Sequence, residues 1–418
     1  MVSHEPHDCV VVGGGVHGTC IANYLFEAGE YAHGELRVVD PGPELLESFA
    51  TRARQCGMRT LRSTFVHHIA TDPFSLKRFA TDRYRDDELV STTDYPNRPT
   101  LDLFLDHARH VVDVSSIDDC HVRTTVRDVT DGPDHLHVQT DDGTLDARRV
   151  VLALGLGERP TRPEWATSLT DDAPIAHVWD DGFDPTAVTD FDGETYVVGG
   201  GITAAQLAIR LAESTDVTLL SRHELETATA EADPEWINWR HVEERIHALP
   251  AGSQARHDRI QVARNDATIP PYVEERLRAA AERDDLDAQI GEITCAHATD
   301  DGLLVRFADG TSAANVQVVL ATGLDPVPNH PLVGRIADSL GLARGENGFP
   351  VLDDETLAWR RLDGTQTAVS VSGLLAQTSV GPLARNVVGA RRVAERLLDA
   401  WPDTQCPRRT AARSTHLD

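Results

Sequence analysis

Two stretches of this chain, "VVGGGVHGTC" from Val11 and "VVGGGITAAQ" from Val197, place the same glycine corner behind the same β-branched run. A continuous run of Val and Ile reads as a strand buried on both faces of a parallel sheet. Each corner is followed by a helical pattern and then by a second apolar run. Repetition of a whole strand–corner–helix–strand unit implies two related domains rather than one elaborate one. The 418 residues suit that division, being too many for a single core.

In the first unit, "DCVVV" (Asp8 to Val12) leads into Gly13-Gly14-Gly15-Val16-His17-Gly18. The helical pattern runs to Ala28 and stops at Gly29, and the strand "ELRVVD" ends at Asp40. Gly13 permits a tight turn, Gly15 allows the backbone to approach a pyrophosphate, and Gly18 lets helix and strand pack closely. The helix N-terminus offers unpaired N–H groups and a positive dipole end to the phosphates. Asp40 is placed to accept hydrogen bonds from an adenosine ribose.

In the second unit the fingerprint is Gly199, Gly201 and Ala204, with alanine at the close-packing position. The acid at the end of its second strand is replaced by Ser221-Arg222. An aspartate there repels a 2′-phosphate, whereas a hydroxyl and a guanidinium accept one, so this corner is expected to prefer NADPH to NADH.

Between the units, "TTVRDVTDGPDHLHVQTDDGTLDARRVVLALG" alternates like a β-meander and ends in a buried strand and Gly155. "LLVRFADGTSAANVQVVLATGLDP" has the same shape and ends at Gly323. The segment between Glu224 and Thr268 has no clear period and is expected to shape access to the second corner.

Acidic residues number 67 against 39 basic ones, for a net charge of −28, and Lys77 is the only lysine. Diffuse acidity of this kind suits a salt-rich cytoplasm, where screening weakens self-repulsion, and disfavours nucleic acid as a partner. No run approaches the roughly 20 apolar residues of a membrane span, and the N-terminus has no secretory pattern. A cytoplasmic, halophilic protein is therefore expected, with homo-oligomerisation left open. The six cysteines, Cys9, Cys20, Cys56, Cys120, Cys295 and Cys406, include no C-x-x-C pair. Neither a metal site nor a redox-active disulfide is expected.

These features together resemble the two-dinucleotide-binding flavoproteins, over nearly the whole chain. The resemblance implies an α/β fold of two Rossmann-like three-layer domains with β-meanders. An FAD domain would occupy residues 1–160 and 323–418, with an NADPH domain, residues 161–322, inserted in it. It further implies that Val126 meets the adenine and that Gly373 to Leu383, including Leu374, closes over the flavin. Gly381 and Pro382 would then stand near a helix start facing the pyrimidine edge. Within the superfamily the chain is most similar to single-component flavin monooxygenases of the lysine/ornithine N-hydroxylase-like group. The stretches "DPFSLKRF", "VLATG" and "IAHVWD" around His177 carry that likeness. Asp171, Ala173, Val316 and Leu324 depart from the group's pattern, so the likeness does not extend to an amine substrate.

The resemblance implies NADPH-driven oxygenation of a small molecule through a flavin C4a-hydroperoxide, with Met58, Arg62, His67 and His68 around the flavin ring. Arg98 is a candidate anchor for a substrate carboxylate, or a structural residue. Two alternatives stay open at this point. One is an FAD-dependent reductase passing electrons to a quinone or protein acceptor; the other is a non-catalytic nucleotide sensor.

Overall fold

A computed structural model describes residues 5–401 apart from 93–95, 158 and 171; Asp171 and Cys406 lie outside the described residues. Two sheets organise the chain. The first has the order Ala358–Arg360, Gln366–Val371, Val150–Leu152, Cys9–Val12, Leu36–Val39, His121–Val122. Its central strand Cys9–Val12 pairs in parallel with Leu36–Val39 and Val150–Leu152 and is buried throughout, as its β-branched run requires. The chain leaves this sheet after Leu152 and returns for Ala358–Arg360 and Gln366–Val371, so the second unit is an insertion.

The second sheet has the order Leu286–Ile290, Val217–Ser221, Glu194–Val198, Ser312–Leu320, Gly302–Phe307, Ile293–Thr299, with Ile175–His177 also paired to Ser312–Leu320. Helices Val16–Glu27 and Ile202–Leu211 are the two crossovers that follow the glycine corners. In the first unit, Val16–Glu27 packs against Leu101–Ser115 and against the C-terminal helix Val387–Ala400.

The two meanders differ. Val126–Asp131, Leu136–Thr140 and Gly143–Ala147 form a separate antiparallel sheet. It is cut from the first parallel sheet at Arg148-Arg149, where Arg148 turns outward to pair with Asp8 at 2.9 Å. In the second unit the strand Ser312–Leu320 runs unbroken from exposed hairpin to buried sheet, because its apolar half, Val316 to Leu320, continues the same extended run.

The segment between Glu224 and Thr268 contributes Glu231 and Arg264 to Thr268 to the wall of the second-corner cavity, as expected, and makes a second contact that was not expected. It forms short helical turns and the helix Gln254–Ala263, and it packs on the C-terminal portion of the chain. Ala232, Trp236, Val242, Ile246 and Ile260 share one apolar cluster with Leu383 and Val388. Arg256, buried, binds both oxygens of Asp354 at 2.7 Å.

Candidate functional site

At the first corner, Gly13 N donates to Val39 O at 2.8 Å and Gly14 N to Asp40 Oδ2 at 2.7 Å. A Cβ on Gly18 would stand 1.7 Å from Gly13 O, so that glycine is demanded by helix–strand packing. A Cβ on Gly15 meets nothing within 4 Å. The fold has no need of glycine there; a group approaching the helix N-terminus does. That N-terminus has no side-chain cap and no acid in its first turn, which leaves its N–H groups and dipole to an anion. Asp40 is already engaged, since Oδ1 accepts from Gly42 N at 2.8 Å while Oδ2 holds Gly14. It therefore clamps the corner as well as ending the strand.

The C-terminal ends of neighbouring strands bring other groups beside this corner. Gly155, at φ +72°, has open space where a Cβ would be, and Gly373, at φ +68°, lies against Gly155 and His17. His17 Nδ1 bonds Ser372 Oγ at 2.9 Å. Its Nε2 is buried toward the backbone of Arg385 and Asn386 and closes no regular hydrogen bond. Burial lowers this imidazole to about 4, against the opposing pull of those two backbone groups, so it is neutral near pH 7. The helix Val387–Ala400 begins there with Asn386 as an uncapped N-cap, whose Oδ1 is buried without a partner.

The second corner opens on a cavity of about 610 Å³ lined by Val198 to Thr203, Leu220 to His223 and Ala321 to Gly323. Here again the middle glycine is free of the fold, for a Cβ on Gly201 meets nothing within 4 Å, whereas one on Gly199 would strike Ala321 O at 2.6 Å. Ala204 is fully buried at the helix–strand contact. Arg222 and His223 stand at the cavity wall. Ser221 belongs to the same lining; it is buried, and its hydroxyl donates to His223 O.

The same cavity is lined by Arg62, Arg264 and Arg385, with Glu231 and Asp266 among them. Arg264 pairs with Glu231 at 3.2 Å and Asp266 at 2.8 Å, and Arg385 approaches Asp266 at 3.6 Å. Arg62 donates to Ala228 O, Ala230 O and Thr268 Oγ1. The Nε atoms of Arg62 and Arg385 remain buried without a hydrogen-bond partner. Arg385, which directly precedes the helix N-cap Asn386, is the C-terminal residue of this lining.

A family model described as FAD-NAD(P)-binding matches residues 10–157, and one described as pyridine nucleotide-disulphide oxidoreductase matches residues 86–265. An ornithine N-hydroxylase from Kutzneria sp. 744, solved with reduced FAD, NADP+ and L-ornithine, is 18% identical. It superposes with a TM-score of 0.74 over 95% of this chain and 99% of its own. L-lysine 6-monooxygenase from Pseudomonas syringae gives 0.67 at 19% identity, covering 94% and 99%. The bacillithiol disulfide reductase of Bacillus cereus gives 0.58 at 16% identity, covering 94% and 98%. The chain has the fold of the two-dinucleotide-binding flavoproteins. A curated relative from Geobacillus kaustophilus (strain HTA426), an uncharacterised CzcO-like oxidoreductase, is 29% identical over 119 residues. That stretch is 28% of this chain and spans only 33% of the relative's length.

Within this flavoprotein fold the four residues expected around the flavin ring are not brought together. Arg62 lines the cavity. Met58 packs between the cores of the two units and faces a separate groove with Gly57 and Arg59. His67 is half-buried in its own loop, held by Thr64, with burial lowering it to about 4. His68 is a core residue: Nδ1 accepts from Ala70 N, Nε2 faces Pro73 O, and the ring meets His107 edge-on at 4.8 Å. Arg98 is buried and donates to Thr229 O, a structural position rather than a substrate anchor. Val126 opens its meander strand and is buried. Leu374 is buried in a short helical turn. Gly381 and Pro382 lie just ahead of the C-terminal helix, whose N-cap is Asn386. A Cβ on Gly381 would meet Val242, and Pro382 O accepts from Arg264, so both lie under the Glu224–Thr268 segment. His177 is buried, with Nδ1 accepting from Trp179 N and its own N–H bound to Asp180. Sequence reasoning missed Arg264, Arg385 and Asn386; a basic residue and an Asn directly before a helix were the available signal.

Proposed function

We propose that this chain is an NADPH-using, FAD-dependent monooxygenase that oxygenates a small molecule with dioxygen. The observation that carries the reading is the pair Gly15 and Gly201. Each is a glycine that the fold does not need, at a strand–helix corner with uncapped N–H groups. Residues 1–160 and 323–418 would hold FAD, and residues 161–322 NADPH. Bound FAD supplies hydride acceptance and oxygen activation.

The chain's own residues bind, orient and neutralise. Gly13, Gly14, Gly15, Val16 and Gly18 form the FAD diphosphate corner, with Asp40 at the ribose and Val126 toward the adenine. Gly155, His17, Gly373 and Leu374 surround the ribityl and ring end, and the uncapped helix at Asn386 directs its positive end there. Neutral His17 holds a proton on one nitrogen and is able to share it through Nε2. Gly199, Gly201 and Ala204 form the NADPH corner, Arg222 meets the 2′-phosphate, and Gly323 leaves room beside it. Arg62 and Arg385 line the cavity at the second corner, each keeping a buried Nε without a hydrogen-bond partner.

Higher similarity to N-hydroxylases than to disulfide reductases favours oxygenation over disulfide chemistry. The five cysteines within the described residues are all free thiols. No helix among the described residues is long and apolar enough to cross a membrane. The diffuse acidity and single lysine support a salt-rich cytoplasm.

The test is to purify the chain in molar KCl, reduce it anaerobically with NADPH and mix it with oxygenated buffer while recording the flavin spectrum. An absorbing transient between the reduced and oxidised spectra is expected. Direct return to oxidised flavin would make it a reductase, and failure to reduce would make it a sensor.

A further inference from the structure

His135, His137 and Asp146 lie on the separate three-stranded sheet and take no part in the proposed chemistry. His135 immediately precedes the strand Leu136–Thr140 and His137 lies within it, so the two imidazoles share a face while Leu136 is buried on the other. Asp146 stands directly across from His137 on the paired strand. His137 Nδ1 lies 2.7 Å from Asp146 Oδ1, and His135 Nε2 lies 3.4 Å from the same oxygen. One ligand atom from each of the three residues falls within 4.8 Å of the others.

We propose that His135, His137 and Asp146 bind a zinc-class divalent ion, with water completing its coordination. Ligand bonds of about 2.0–2.1 Å around a tetrahedral ion place donors about 3.3 Å apart. The two measured separations bracket that value, and the third is within 4.8 Å. Hydrogen bonding alone does not account for the trio, because His135 Nε2 is buried without a hydrogen-bond partner. A central cation satisfies all three lone pairs at once. Two imidazoles and one carboxylate select zinc-like ions over the oxygen-seeking magnesium and calcium.

The backbone holds the two imidazoles in place. A Cβ on Gly132 would stand 2.6 Å from His137 Nε2, so glycine lets that ring lie against the turn. Gly132 N closes the turn onto His135 O at 2.8 Å. His7 N binds Asp146 O, and Asp131 pairs with Arg361. A bound ion would therefore clip a hairpin that is itself tied to the first parallel sheet.

The experiment uses the full chain, stripped with chelator and dialysed in molar KCl against Zn2+ with Mg2+ in excess. Bound metal is measured by atomic emission and unfolding by thermal melt. One zinc per chain and a zinc-dependent rise in Tm are expected. His135→Ala, His137→Ala and Asp146→Asn should each weaken binding by at least about tenfold, while His110→Ala leaves it unchanged. Asp146→Asn preserves side-chain shape, and far-UV circular dichroism checks that each variant is folded. The proposal falls if folded variants keep wild-type zinc affinity, or if zinc binds no more tightly than magnesium.

Discussion

Alanine at Gly201 is expected to separate folding from binding. The backbone there has φ −115° and ψ −177°, open to any L-residue, and the added methyl meets no atom within 4 Å. Stability should hold or rise by about 0.4–1 kcal/mol, because alanine narrows the unfolded ensemble. The methyl instead occupies the approach of the diphosphate. Loss of one charge-assisted hydrogen bond costs about 1.5–3 kcal/mol, which is about 10- to 150-fold in Kd. Urea unfolding together with NADPH titration of the FAD-loaded protein measures both quantities. Gly15→Ala should do the same to FAD retention while sparing NADPH. Gly18→Ala is the contrast, since its Cβ would lie 1.7 Å from a backbone oxygen and should cost at least about 1–3 kcal/mol in folding. A folded Gly201→Ala protein with wild-type NADPH affinity would refute the assignment of the second corner.

Arg222→Ala should weaken NADPH by about tenfold or more while leaving NADH unchanged, as read from the ratio of kcat/KM values. Arg256→Ala should destabilise the protein by about 3–5 kcal/mol in chemical denaturation, because it leaves the partly buried Asp354 carboxylate without its bidentate partner. The pH dependence follows from the buried histidines: burial lowers His17, His67, His68 and His177 to about 4 and His107 to about 3. Between pH 6.5 and about 4 the unfolded chain binds protons that all five sites resist, and His107 alone goes on resisting to about 3. Stability should thus be full above pH 6.5 and fall as pH drops through that window, by up to about 1.4 kcal/mol per unit for each histidine. A denaturation midpoint flat across the window would remove that account.

The corners, their strands and both meanders were legible because each is a local pattern: glycine where a turn or close contact needs it, and β-branched runs where a strand is covered on both faces. The convergence of Arg62, Arg264 and Arg385 was not legible, since it joins residues whose spacing in the chain carries no period. His67 and His68 read alike as neighbours in a loop, yet backbone curvature turns one into the core and leaves the other half-buried. Ser221 belongs to the lining as its chemistry suggests, but the carbonyl two residues away that takes its hydroxyl was not legible. The Glu224–Thr268 segment hid its role because its apolar residues fit a partner surface more than 120 positions later rather than a helix face of their own.

That segment belongs by chain order to the inserted unit, yet it is bolted to the returning one through Arg256 with Asp354, Arg264 with Pro382 and Arg392 with Trp236. A swing of one half against the other would have to tear these cross-braces and expose Trp236. On the proposed function, a nucleotide at the second corner would therefore have to shift within its own cavity rather than ride on a swinging unit.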